Sequence, residues 1–147
     1  MNVEKLALQI GESIRQLAAT KARVAVLVGP LGSERQQIAK AVTEHCAGVL
    51  LDTINDFLPT VSPLVLGAYD GSQFEKDIVK LSDTQGKMVC LDDIDPLLAT
   101  FDRKGAEIFF ALASNATPRY PVLLVSSLTE LLVSSGFDAK RVHEVGG

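Results

Sequence analysis

The sequence is poor in the residue types that usually announce chemistry. Its two cysteines, Cys46 and Cys90, lie far apart in apolar surroundings; this excludes a disulfide framework or a zinc site and reads as buried thiols in a reducing cytoplasm. The two histidines, His45 and His143, form neither a Cys/His cluster nor a hydrolase-like constellation. There is no basic block: the formal net charge is −4 and the pI about 5.1, so direct binding of nucleic acid is not favoured. No apolar run approaches membrane-spanning length, and Met1 to Lys5 is polar and charged, so neither a membrane span nor a leader peptide is expected. Internal repeats and low-complexity tracts are lacking too. A cytoplasmic protein is the expectation.

What remains is a chain with a real core. Its 147 residues, 47% hydrophobic, suit one domain over 1–147 and are too few for two. Leu6, Ile10, Ile14 and Leu17 recur at helical spacing and predict an amphipathic leading helix within 1–20, slightly weakened by Gly11. Uninterrupted apolar runs predict strands at 23–28, 49–52, 88–92, 122–126 and 141–145, buried on both faces as in a parallel sheet. Between them lie helical patterns, one after Ser33 ending near Gly48, one from Ser72 to about Ser82, one around Ala106 to Ser114. Residues 53–71 read as a loop with a short helical turn. Strands alternating with helices predict a three-layer α/β sandwich with a five-stranded parallel sheet.

Two stretches carry the functional signal. Val24 to Gln36, VAVLVGPLGSERQ, has the layout strand, glycine-rich turn, helix of a phosphate-binding loop. Laid on the spacing G-x-x-x-x-G-K-[ST], Gly29 holds the first position, with Pro30, Gly32 and Ser33 in the loop. Glu34 then stands for the second glycine, Arg35 for the lysine and Gln36 for the hydroxyl residue. Each change works against nucleotide. Glu34 brings negative charge to a concavity built for phosphate, and like charges about 4 Å apart repel by roughly 4 kcal/mol at an effective dielectric near 20. Arg35 replaces a point charge with a flat fork, and Gln36 offers an amide where Mg2+ requires oxygen ligands in octahedral geometry. The favoured expectation places Glu34 in the first helical turn, against the macrodipole, with Arg35 solvated and Ser33 capping the helix.

The second stretch is Lys87 to Leu98, KMVCLDDIDPLL, a buried strand delivering Asp92 and Asp93 at its C-terminal edge. In a working enzyme of this layout Asp92 would hold Mg2+, and Asp93, the catalytic candidate, would polarise the attacking water. Asp93 is one methylene shorter than the usual glutamate, and a general base must come within about 3 Å of its proton. The competing reading is a pair of solvated acids capping a turn.

Taken in order, these segments resemble the nucleotide-binding core of AAA+ P-loop ATPases. GPLGSERQQIAKAV resembles their GPPGSGKTTLAKAL, LGAYDGSQFEKDIVKL the segment before the second acidic motif, and MVCLDDIDPLL their IIFIDEIDALL. VLLVSS is similar to the sensor-1 strand, with Ser126 or Ser127 in the sensor position; SSGFDAKRVHEV resembles LRSRFDRVVEI, with Gly136 where an arginine finger is expected. The resemblance implies strand order 5-1-4-3-2, a lid domain that is absent, and weak or no use of ATP and Mg2+. A looser likeness, in length and segment order, is to small stand-alone P-loop proteins of BREX-type phage-defence systems. Three readings follow. The first is a non-hydrolysing module acting through protein partners, either an ATPase subunit or a second copy of itself. The second is a weak ATPase in which Arg35 and Asp92 hold nucleotide and Mg2+, completed in trans by a partner; the third is an unrelated doubly wound fold with another ligand at the same sheet edge.

Overall fold

The computed structural model describes residues 2–61 and 69–145. Part of the 53–71 segment expected to form a loop lies outside the described residues. Helix α1 (Val3–Gln16) is capped by Asn2, whose side chain accepts the Lys5 amide at 3.1 Å. It leads through a 3-10 turn at Leu17–Ala19 into β1 (Val24–Val28). Helix α2 (Ser33–His45) and β2 (Val49–Asp52) follow, then a π-helical stretch at Thr53–Phe57 and a 3-10 turn at Leu58–Thr60.

Helix α3 (Gly71–Gln85) is longer than its periodicity predicts. The cap is Asp70, whose carboxylate accepts the Gln73 amide at 2.8 Å, and the stop is Gly86 at φ 67. Strand β3 (Val89–Asp92) runs into a four-residue helix α4 (Asp95–Leu98), where the sequence suggested only a turn. Helix α5 (Arg103–Ser114), β4 (Val122–Ser126), α6 (Thr129–Ser135) and β5 (Val142–Glu144) complete the order. The strands fall within one residue of their expected bounds.

Among the described residues the sheet has five strands, all parallel, in the order β2-β3-β4-β1-β5. Read from the other edge this is 5-1-4-3-2. Because successive residues of a strand point to opposite faces, the apolar runs divide between two cores. Val24, Val26 and Val28 of β1 join Val89, Leu91, Val122 and Leu124 against α3, α5 and α6. Ala25, Leu27, Cys90, Leu123 and Val125 face α1 and α2.

All six phenylalanines of the chain lie in or against the first core, with Phe74 stacked on Phe109 at 4.4 Å between centroids. The second core is built from aliphatic residues, so α1 and α2 approach closely. Gly11 serves that approach: a Cβ there would meet the His45 ring at 2.5 Å. Its cost to helix propensity is thus offset by packing. Of the two cysteines, Cys90 is fully buried and Cys46 only half-buried.

Candidate functional site

The site that the sequence points to forms where β1 and β3 end, at the carboxyl edge on which open α/β sheets carry their ligands. The loop from Gly29 to Gly32 is short. The Gly29 amide donates to the Ser126 carbonyl at 3.1 Å, tying the start of the loop to β4. Gly29 has a packing reason to be glycine, since a Cβ would stand 3.0 Å from Val145 Cβ and 3.1 Å from its carbonyl oxygen, where the chain leaves β5. Pro30, Leu31, Gly32, Ser33, Glu34 and Gln36 are all exposed, Leu31 by 70%.

Two expectations are corrected at the helix start. Ser33 is not the cap: it is the first residue of α2, the N-cap is Gly32, and no side chain caps the turn. Glu34 does occupy the first turn, exposed, where its charge complements the macrodipole. Arg35 is not solvated. At 1% exposure it belongs among the largest fully buried side chains of the molecule. Its Nη1 donates to the Gly29 carbonyl at 3.2 Å, and Nη2 lies 3.5 Å from Asp93 Oδ1. The second contact is a charge contact without a hydrogen bond, so Nε and Nη2 have no hydrogen-bond partner among the described residues. The physical reason for the inward turn is the acidic sheet edge: a guanidinium surrenders much hydration on burial and does so only against an opposite charge.

Asp92 and Asp93 leave β3 in different ways. Asp92 is half-buried, and its Oδ1 is buried without a partner among the described residues. Burial pushes its carboxyl above the ordinary carboxylate value; the positive charge of Arg35 pulls it back, while Asp93 and Asp52 push it up again. Asp93 sits at φ 52, in the left-handed region that an aspartate tolerates better than most residues. That turn lets the Ile94 amide donate to the Val125 carbonyl at 2.9 Å and leaves the Asp93 carboxylate facing Arg35.

Ser127, the sensor candidate, is drawn elsewhere. Asp95 accepts from Ser126 Oγ at 2.6 Å through Oδ1, and from the Ser127 amide at 3.0 Å and hydroxyl at 2.5 Å through Oδ2. Both serines are thereby committed to one carboxylate at the start of α4. Asp95 was not among the sequence candidates, although it is the second acid of the D-I-D run, and only the fold brings it across to the end of β4. Gly136 ends α6 at φ 78, a helix stop that glycine adopts without strain.

The structure thus brings Arg35, Asp93 and Gly29 together, sets Asp92 beside them, and holds Ser127 on Asp95. A groove of about 820 Å3 opens between α4, α5 and α6. Asp95 and Ser127 line it, with Leu98, Phe101 and Leu131, but none of residues 29–36 and neither Asp92 nor Asp93 does. Among the described residues no group of three or more His, Cys, Asp or Glu side chains could hold a metal ion.

No family description matches the sequence, and no curated protein matches it. Solved structures do. The chain is similar to the Walker-type ATPase PABY2304 of Pyrococcus abyssi, with a TM-score of 0.50 and 13% identity, covering 92% of this chain and 52% of that one. It is also similar to PCH-2 of C. elegans, with a TM-score of 0.45 and 16% identity over 98% of this chain and 41% of that one. The chain spans about half the length of these proteins or less. At such identity the likeness speaks to fold alone, and with the strand order it gives an α/β sandwich of P-loop NTPase type. No described helix is long and apolar enough to cross a membrane.

Proposed function

We propose that this P-loop-type fold is a non-hydrolysing module that works by binding a protein partner, either an ATPase subunit or a second copy of itself, as an accessory component of a larger assembly. The observation that carries the reading is Arg35: the cation that should meet phosphate is 1% exposed and spent on Gly29 and Asp93. The rest of the donor set does not fit a Mg2+–nucleotide complex either. Glu34 and Gln36 point outward, Ser127 is held by Asp95, and Asp93 is engaged by a cation instead of being free to polarise water. A bacterial phage-defence complex is the biological setting we favour, on segment length and order alone.

One observation favours a second reading. Arg35 Nε and Nη2 and Asp92 Oδ1 are buried polar atoms without partners among the described residues, and such atoms call for water or a ligand. In that reading the site binds ATP weakly and is completed in trans. Calorimetry of the protein with ATP, with and without Mg2+, separates the two. The proposal expects no heat of binding up to millimolar ATP; micromolar affinity, or turnover abolished by Asp93→Asn, would overturn it in favour of the ATPase.

A further inference from the structure

Three aspartates lie at one edge of the sheet. Asp52 ends β2 in register with Asp92 at the end of β3, and Asp93 follows. Asp52 is engaged locally, accepting the Asn55 amide at 2.7 Å, while its own amide donates to Asp56 Oδ2 at 2.8 Å. The Asp92 carbonyl accepts the Thr53 hydroxyl at 3.0 Å. Among the described residues the only ion pair that any of Asp52, Asp92 and Asp93 makes with a cationic side chain is that of Arg35 with Asp93.

We infer that Arg35 is the resident counter-cation of this edge, clasping the phosphate-type loop to the end of β3. One face of the guanidinium fork holds the loop through the Gly29 carbonyl, and the other faces Asp93. A planar fork serves two directions at once, which a lysine ammonium on a flexible stem does less well. The clasp joins segments that the sheet alone leaves separate, since β4 lies between β1 and β3. It also gives the left-handed Asp93 a reason to hold its turn. The loop and the strand end are therefore set in one arrangement without any ligand. The inference deepens the reading of a site that takes no nucleotide, and its test runs without nucleotide so that the two can fail separately.

The test is a double-mutant cycle of Arg35→Met and Asp93→Asn on the full chain, read by thermal unfolding and by amide hydrogen exchange. Each single variant is expected to melt roughly 5–10 °C lower, the partly exposed Asp93 keeping the figure modest. The double variant should melt no lower than the worse single one. Exchange at the hydrogen-bonded amides of Gly29, Gln36 and Ile94 should rise about tenfold in Arg35→Met, with the Phe109–Ala113 part of α5 unchanged. Additive losses in the double variant, or singles that melt within a degree of the parent, would overturn the clasp. Should Arg35→Met not fold, Asp93→Asn decides: faster exchange at the bonded amides of Gly29 and Gln36, across the contact from the substitution, upholds the clasp, and unchanged exchange there overturns it. A rise in melting temperature on adding MgATP to the parent protein, with the coupling intact, would overturn the nucleotide-free reading and leave the clasp standing.

Discussion

Restoring the loop chemistry asks whether the site is altered only in its contacts. The perturbation is the triple substitution Glu34→Gly, Arg35→Lys and Gln36→Thr, which returns backbone room, a point charge and a hydroxyl ligand. Its stability cost can be worked from the structure. Replacing exposed Glu34 in the first turn of α2 forfeits about 0.3–1 kcal/mol of dipole complementarity and up to about 1 kcal/mol of helix propensity. Arg35→Lys gives up the charged hydrogen bond to the Gly29 carbonyl, worth roughly 1.5–3 kcal/mol, but keeps a cation near Asp93. The sum, about 2–5 kcal/mol, is a large share of a typical 5–15 kcal/mol and lowers the melting temperature by roughly 5–20 °C.

Binding is therefore measured near 15 °C on material shown to be folded by circular dichroism. The expected result is ATP affinity of about 10–100 μM, or roughly −5.5 to −7 kcal/mol, where the parent shows none. Hydrolysis should stay negligible, because Asp93 is short and Gly136 supplies no finger, whose absence alone can cost on the order of 10³ to 10⁵ in rate. A folded triple variant that still binds nothing would refute the idea that the backbone between Gly29 and Gln36 retains its cradle. Rapid turnover by that variant alone would refute the weight placed on Asp93 and Gly136.

Arg141, 12% exposed, donates to the Val24 carbonyl at 2.7 Å and the Ser114 carbonyl at 2.5 Å, so Arg141→Met should cost roughly 2–4 kcal/mol by urea unfolding; a loss under about 0.5 kcal/mol would contradict this stapling role. Burial pushes the Cys90 thiol up to about 12, so at pH 8 a thiol reagent should label Cys46 slowly and Cys90 only after unfolding. Equal labelling of both in the native state would show that the sheet interior opens. Burial lowers the His143 pKa, so the unfolded chain binds more protons below the ordinary value of 6.5: stability should hold above that pH and fall as acid is added through it. His143→Gln should flatten that part of the pH profile, and an unchanged slope would assign it to other groups.

The fold was legible because buried parallel strands must be apolar on both faces, so their runs stand out from the amphipathic helices between them. The caps at Asp70 and Asp102 act within a few residues, but periodicity starts their helices late, at Ser72 and near Ala106, because a cap precedes the first apolar repeat. The loop and the acidic strand end stand out in the sequence as well, and the structure sets Arg35, Gly29 and Asp93 together there. The fate of the charges there was not legible. Whether Arg35 meets solvent or carboxylate depends on how close α2 stands to the end of β3, across a contact between residues 35 and 93. The same holds for Asp95 and its two serines, 31 and 32 residues away, and for Gly29 against Val145. Hydrophobic periodicity records which faces are buried and leaves their neighbours unspecified. Burial of a charge is decided by the partner it meets, and only the assembled sheet brings that partner within reach.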